Sequence, residues 1–110
     1  MSAETRRFMR LLVFFDLPTK TPADKRAYTL FRRFLKKDGY DMMQLSVYGR
    51  IVNGVDNLKK HIKRLEDNLP AEGSVRCIQV SEKQFGKMLL LVGKPKKQEK
   101  TVTAKQLVLL

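Results

Sequence analysis

The stretch RFMRLLVFFDLPTKTPADKRAYTLFRRFLKKDG, Arg7–Gly39, decides the fold of this chain. Leu11-Leu12-Val13-Phe14-Phe15 is apolar at every position, as a central strand covered on both faces requires, so Arg7–Phe15 reads as a buried β-strand. Asp16-Leu17-Pro18 stops it, because proline donates nothing to a ladder. Thr21-Pro22-Ala23-Asp24 then opens a helix, with a hydroxyl at the N-cap, proline at the first helical position and a carboxylate three residues past the cap. Ala27, Leu30, Phe31, Phe34 and Leu35 follow at helical spacing as one apolar stripe, with Lys25, Arg26, Arg32, Arg33, Lys36 and Lys37 on the opposite face. Gly39 supplies the left-handed residue that ends the helix.

Beyond Gly39 the pattern continues as strand, helix and strand. Asp41–Val52 is extended in character, and Gly49 within it predicts a bulge or bend that divides it into two short strands. Asn53-Gly54 turns into a second helix, in which Val55, Leu58, Ile62, Leu65 and Leu69 keep helical spacing and Lys59, Lys60, Lys63 and Arg64 face out. Pro70 and Gly73 close it. Ser74–Ser81 and Lys87–Gly93 are predicted as a strand pair joined through Glu82–Gly86. The order β-α-β(β)-α-β-β, with helices apolar on one stripe only, predicts an α+β, ferredoxin-like β-α-β-β-α-β sandwich carrying both helices on one face of the sheet. The other face is then open, and a second copy of the chain in a homodimer is the economical cover. Residues 1–93 form the expected domain. Residues 94–110 are expected to be a basic linker and an extra C-terminal strand that packs on an edge of the dimer.

Composition points to the partner. The 110 residues carry 23 Lys and Arg against 11 Asp and Glu, a formal charge of +12, while 43 % are hydrophobic, too many for a disordered chain. So large an imbalance costs stability by self-repulsion, and a polyanion is the commonest reason to tolerate it. Cys77 is the lone cysteine, which excludes an intrachain disulfide; between apolar neighbours it reads as a small core residue in a reducing compartment. The apolar run Leu11–Phe15 is too short to cross a bilayer, and its flanks are not those of a signal peptide, so a cytoplasmic location is expected.

Among the acids Asp16 stands apart. A carboxylate directly after a buried strand lies where ligand sites collect in α/β sheets, and it is a hard oxygen ligand suited to Mg²⁺ or Mn²⁺. Its other reading is a turn aspartate bonded to its own backbone. Asp24 reads as a cap, Asp38 and Asp41 flank a turn, and Glu66, Asp67 and Glu72 lie around an exposed helix end. One protomer thus offers one ligand, too few for in-line phosphoryl chemistry unless a twofold axis brings a second Asp16. His61, the single histidine, sits mid-helix among lysines and is not read as a general base; Ser46 either assists the site or satisfies a strand. Arg6, Arg7, Arg10, Lys20, Arg26, Arg32, Arg33, Lys36 and Lys37 are the expected phosphate contacts, giving affinity without sequence preference. The three tyrosines are too scattered for a stacking platform, Ser74–Ser81 has no aromatics for an RNA-recognition sheet, and no glycine-rich phosphate loop occurs.

Four blocks, Met9–Thr19, Arg26-Ala27-Tyr28 with Phe31–Leu35, Gln44–Tyr48 and Val80–Phe85, in this order and spacing, resemble the CRISPR-associated Cas2 family, most closely the branch found beside type II effectors. The resemblance runs nearly to Gly93. It implies a ferredoxin-like homodimer whose C-terminal strand crosses to the partner protomer, in a prokaryotic cytoplasm. It also implies a role in spacer acquisition, bridging dimers of the CRISPR integrase subunit (Cas1) and holding double-stranded prespacer DNA. Asp16 matches the family's shared divalent-metal ligand and catalytic residue, so the resemblance implies a Mg²⁺-dependent endonuclease acting on RNA or duplex DNA, or else a purely structural, non-catalytic DNA scaffold.

Overall fold

The computed structural model describes residues 8–94, and the elements run β1 (Phe8–Asp16), α1 (Pro22–Lys37), β2 (Asp41–Gln44), β3 (Val47–Asn53), α2 (Val55–Glu66), β4 (Ser74–Ser81) and α3 (Glu82–Gly86). The sheet order is β2-β3-β1-β4, with every neighbouring pair antiparallel. Each β-α-β crossover skips one strand, which is the ferredoxin-like α+β arrangement. Placing β1 between β3 and β4 explains its continuous apolar run, since it has a ladder on both edges and side chains packed on both faces.

Alternation along β1 divides the molecule. Leu11, Val13 and Phe15 join Phe31 and Leu35 of α1, Leu58 and Leu65 of α2, and Leu17, Tyr40, Tyr48 and Val52 in the core. Phe15 meets the edge of Phe31 with centroids 5.2 Å apart, and lies 5.7 Å from Tyr48. Arg10, Leu12, Phe14 and Asp16 alternate onto the opposite face, where α3 lays Phe85 against the Arg10 guanidinium, 4.3 Å from the ring centroid. On that face Phe8, Phe14 and Ile78 are left exposed.

Both helix starts and stops follow local chemistry. Thr21 and Asp24 form a reciprocal capping box with Pro22 behind the cap, and Gly39, at φ +92°, ends α1 in the left-handed region. α2 begins after Gly54 and ends at Glu66, before Pro70.

Four expectations are corrected. Asp41–Val52 does divide into two strands, but at Leu45-Ser46; Gly49 lies inside β3, paired with Leu12, and a Cβ there would come within 2.9 Å of Leu12 Cδ2. Close approach of a neighbouring side chain requires the glycine, and no bend forms there. Glu82–Gly86 is helical, because Ser81 and Gln84 make a second capping box, and Lys87–Gly93 carries no strand. Leu89, Leu91 and Val92 in that segment are exposed. The helical stripes are narrower than their spacing implies: Leu30, Val55 and Leu69 are exposed, while His61 takes a buried place on α2. Cys77 is exposed on the edge strand β4 and is no core residue. The basic linker and C-terminal strand expected for 94–110 lie, from residue 95 onward, outside the described residues.

Candidate metal and nucleic-acid site

Asp16 is the last residue of β1 and is exposed. Three local features hold it. Its ladder partner is Ser74 on β4, Gly73 packs against its backbone carbonyl, and the neighbouring Phe15 amide donates to the Ser46 carbonyl at 3.1 Å. Phe14, Phe15, Asp16, Ser46, Val47, Ser74 and Arg76 line a shallow depression of about 280 Å³. The β2–β3 turn and the start of β4 therefore place Ser46, Ser74 and Arg76 around the same depression as Asp16.

This donor set suits hard chemistry. Carboxylate and hydroxyl oxygens match Mg²⁺ or Mn²⁺, and Arg76 matches a phosphate oxygen. Among the described residues no three His, Cys, Asp or Glu side chains gather to hold a metal ion, and Asp16 is the one acid lining this depression. Asp16 shares its sheet face with Phe14 and Ile78, the exposed apolar residues. Whatever covers that face also confronts Asp16.

The basic residues separate by burial. Arg26, Arg33, Lys36 and Lys37 are exposed on α1, and Lys20 is exposed between β1 and α1. Thr29, Arg32, Arg33 and Lys36 line a surface notch of about 200 Å³. Arg32 is half-buried: its Nε donates to the Tyr48 hydroxyl at 2.9 Å, a bond that raises its already high pKa. Arg10 is a correction. It is 5 % exposed, ion-paired with Glu82 and stacked on Phe85, so it braces α3 against the sheet and does not stand in solvent with the exposed cations. Arg6 and Arg7 lie outside the described residues.

A polar cluster at the far end of α1 escaped sequence reasoning. Asp38 holds His61 through Oδ2 and Arg64 through Oδ1, both at 2.9 Å, and Arg50 donates to the Asp38 backbone carbonyl. Burial alone would push the Asp38 carboxyl up; the hydrogen bonds and charges of His61 and Arg64 outweigh it and hold the group below the usual carboxylate range. His61 is thus held in a hydrogen bond to Asp38 at the buried end of the cluster. The available signal was a buried-face histidine on an otherwise aliphatic stripe.

Among the described residues no helix is long and apolar enough to cross a membrane. The family model described as CRISPR associated protein Cas2 matches residues 9–88. A protein of Acidovorax ebreus (strain TPSY) named CRISPR-associated endoribonuclease Cas2 is 64 % identical over 101 residues, covering 92 % of this chain and 99 % of the relative. A protein of the same name from Parvibaculum lavamentivorans is 43 % identical over the same length and shares of the two chains. Another from Treponema denticola is 43 % identical over 88 residues, 80 % of this chain and 87 % of its own. The sheet order is consistent with these matches, and the family model over residues 9–88 with the relatives shows that the chain belongs to the CRISPR-associated Cas2 family.

Proposed function

We propose that the chain is a metal-dependent endonuclease that works as a twofold dimer closed across the open sheet face, with one Asp16 from each copy facing a shared Mg²⁺ or Mn²⁺ ion. The observation that carries this reading is the placement of Asp16 on the same face as exposed Phe8, Phe14 and Ile78. An apolar patch of this kind favours a partner surface, and a self-complementary one doubles every residue beside it. β4 is an edge strand among the described residues, and the exposed run Met88–Val92 offers a strand for the partner's sheet. When bound, the divalent ion supplies charge neutralisation at the scissile phosphate and an activated water. The chain's own groups orient the substrate: Arg76 and the two serine hydroxyls border Asp16, while exposed Arg26, Arg33, Lys36 and Lys37 hold the backbone electrostatically. RNA is the first substrate to try, because the relatives are named endoribonucleases; duplex DNA is the second.

The exposed cations on α1, with Asp16 as the one acid in its depression, also favour a scaffold role in spacer acquisition. In that role the dimer bridges integrase subunits and holds prespacer duplex without cutting. One assay separates the two. Purified protein with Mg²⁺ or Mn²⁺ cuts RNA or duplex DNA, chelation stops it, and Asp16→Ala lowers the rate by at least about 100-fold with binding intact. Equal trace cleavage by both proteins leaves the scaffold role standing and removes the enzyme. A monomer in sedimentation at micromolar concentration removes the shared site altogether.

A further inference from the structure

On the helical side of the molecule, away from the open sheet face, a groove of about 520 Å³ runs between α1 and α2. Leu30, Phe34, Arg33, Lys37, Arg64 and Asn68 line it, around Asp38. We propose that this groove docks another protein, and that its occupant is an acidic amphipathic helix.

The groove's floor is apolar where a charged helix should have none. Leu30 has the spacing of a core residue yet is 52 % exposed, and Phe34 beside it is only half-buried. The rim is cationic: Arg33, Lys37 and Arg64 are exposed. The one acid lining the groove, Asp38, is ion-paired with Arg64, so the uncompensated charge of the rim is that of Arg33 and Lys37. An apolar stripe flanked by positive charge is the complement of a helix bearing aliphatic residues at i, i+3, i+4 and i+7 between carboxylates. The stretch of α1 that lines it, Leu30 to Lys37, gives a wall about 12 Å long, enough for about two turns of such a helix.

Nucleic acid fits this groove less well. A phosphate backbone would use the arginines but gains nothing from Leu30, and Phe34, the one ring in the groove, is half-buried beside Phe31 and is no open stacking platform. The groove also lies on the opposite side of the sheet from the face proposed to close the dimer, but it shares Arg33 and Lys37 with the cations proposed to hold nucleic acid, so the two ligands would compete for one rim.

The test uses the full-length protein and three labelled 15-residue peptides, read by fluorescence anisotropy. One has leucines at helical spacing with glutamates between them; the second replaces glutamate by lysine, the third leucine by serine. The first is expected to bind with a Kd of about 10–100 μM, the others at least about tenfold more weakly. Leu30→Ser, at an exposed position, is expected to weaken the first peptide by about fivefold or more and to leave duplex RNA and DNA affinity unchanged. Three results overturn the proposal. The acidic peptide fails to saturate by about 1 mM. Binding is indifferent to Leu30→Ser, which marks general attraction to a cationic surface. Or Leu30→Ser weakens nucleic acid instead, which assigns the groove to the polyanion.

Discussion

Asp38 Oδ2 accepts a 2.9 Å hydrogen bond from His61 Nδ1, joining the C-cap of α1 to the middle of α2 across 23 residues of sequence. Both side chains are nearly inaccessible, at 7 % and 4 % exposure. With the Nδ1 proton given to Asp38, the 3.3 Å approach of Arg50 Nη1 to the same nitrogen is a packing contact, and Arg50 instead donates to the Asp38 carbonyl. One aspartate thereby ties together two helices and β3.

That arrangement predicts a stability loss on removing the acid. Asp38→Ala leaves the His61 and Arg64 donors without their acceptor and should cost about 2–4 kcal/mol in urea unfolding. Because the Asp38 pKa is lowered on folding, its contribution is complete above the ordinary carboxylate range and is lost as pH falls through the lower folded value. Wild-type Tm should therefore drop more steeply than that of Asp38→Asn between about pH 5 and about pH 3. Parallel curves would show that the carboxylate does not couple to folding.

Arg10 and Arg26 should behave as different kinds of residue. Arg10→Ala removes a buried partner of Glu82 and should lower stability by about 2–4 kcal/mol, with nucleic-acid affinity per folded molecule unchanged. Arg26→Ala, on the exposed face of α1, should leave stability within about 0.5 kcal/mol and reduce the log–log salt slope of binding by about 1. Titrations at several salt concentrations decide between them; a shallower slope for Arg10→Ala would return it to the phosphate surface.

Gly73 should tolerate no side chain. A Cβ there would stand 2.5 Å from the Asp16 carbonyl and 2.8 Å from Leu17 Cδ2, at a φ of +92°. A backbone carbonyl in a ladder cannot step aside, so Gly73→Ala should cost more than about 2 kcal/mol and displace the end of β1 that carries Asp16. Denaturant unfolding with Mg²⁺-dependent cleavage measures both effects, and a wild-type unfolding midpoint would contradict the packing.

Tyr40 carries a buried hydroxyl with no hydrogen-bond partner among the described residues, and its burial drives the phenol pKa upward. Tyr40→Phe keeps the ring in the core and removes the unpaired polar atom, so stability should rise by about 1 kcal/mol. A loss of similar size in thermal melts would mean that the hydroxyl is satisfied.

The parts of the fold that could be read from residues alone are those built by neighbours in sequence. The apolar run Leu11–Phe15, the Thr21–Asp24 box and Gly39 specify β1 and both ends of α1, because alternation, capping and left-handed backbone act within a few residues. The Ser81–Gln84 box that makes α3 was equally local, but the apolar run Met88–Val92 beyond it suggested a hairpin partner for β4, and a strand without a ladder does not form. Asp16 was legible as the acid ending a buried strand. Ser74 and Arg76 were not, since the β1–β4 register alone places them beside it.

Sequence chemistry on its own settled the order of elements from β1 to β4, the ferredoxin-like class and the excess of positive charge, each being a sum over local preferences. Tertiary packing decided which charges reach solvent. Arg10 meets Glu82 across 72 residues, Asp38 meets His61 across 23, and Leu30 stays exposed because α2 passes without covering it. Burial belongs to the surface that arrives from elsewhere in the chain, so no periodicity within one helix or strand encodes it.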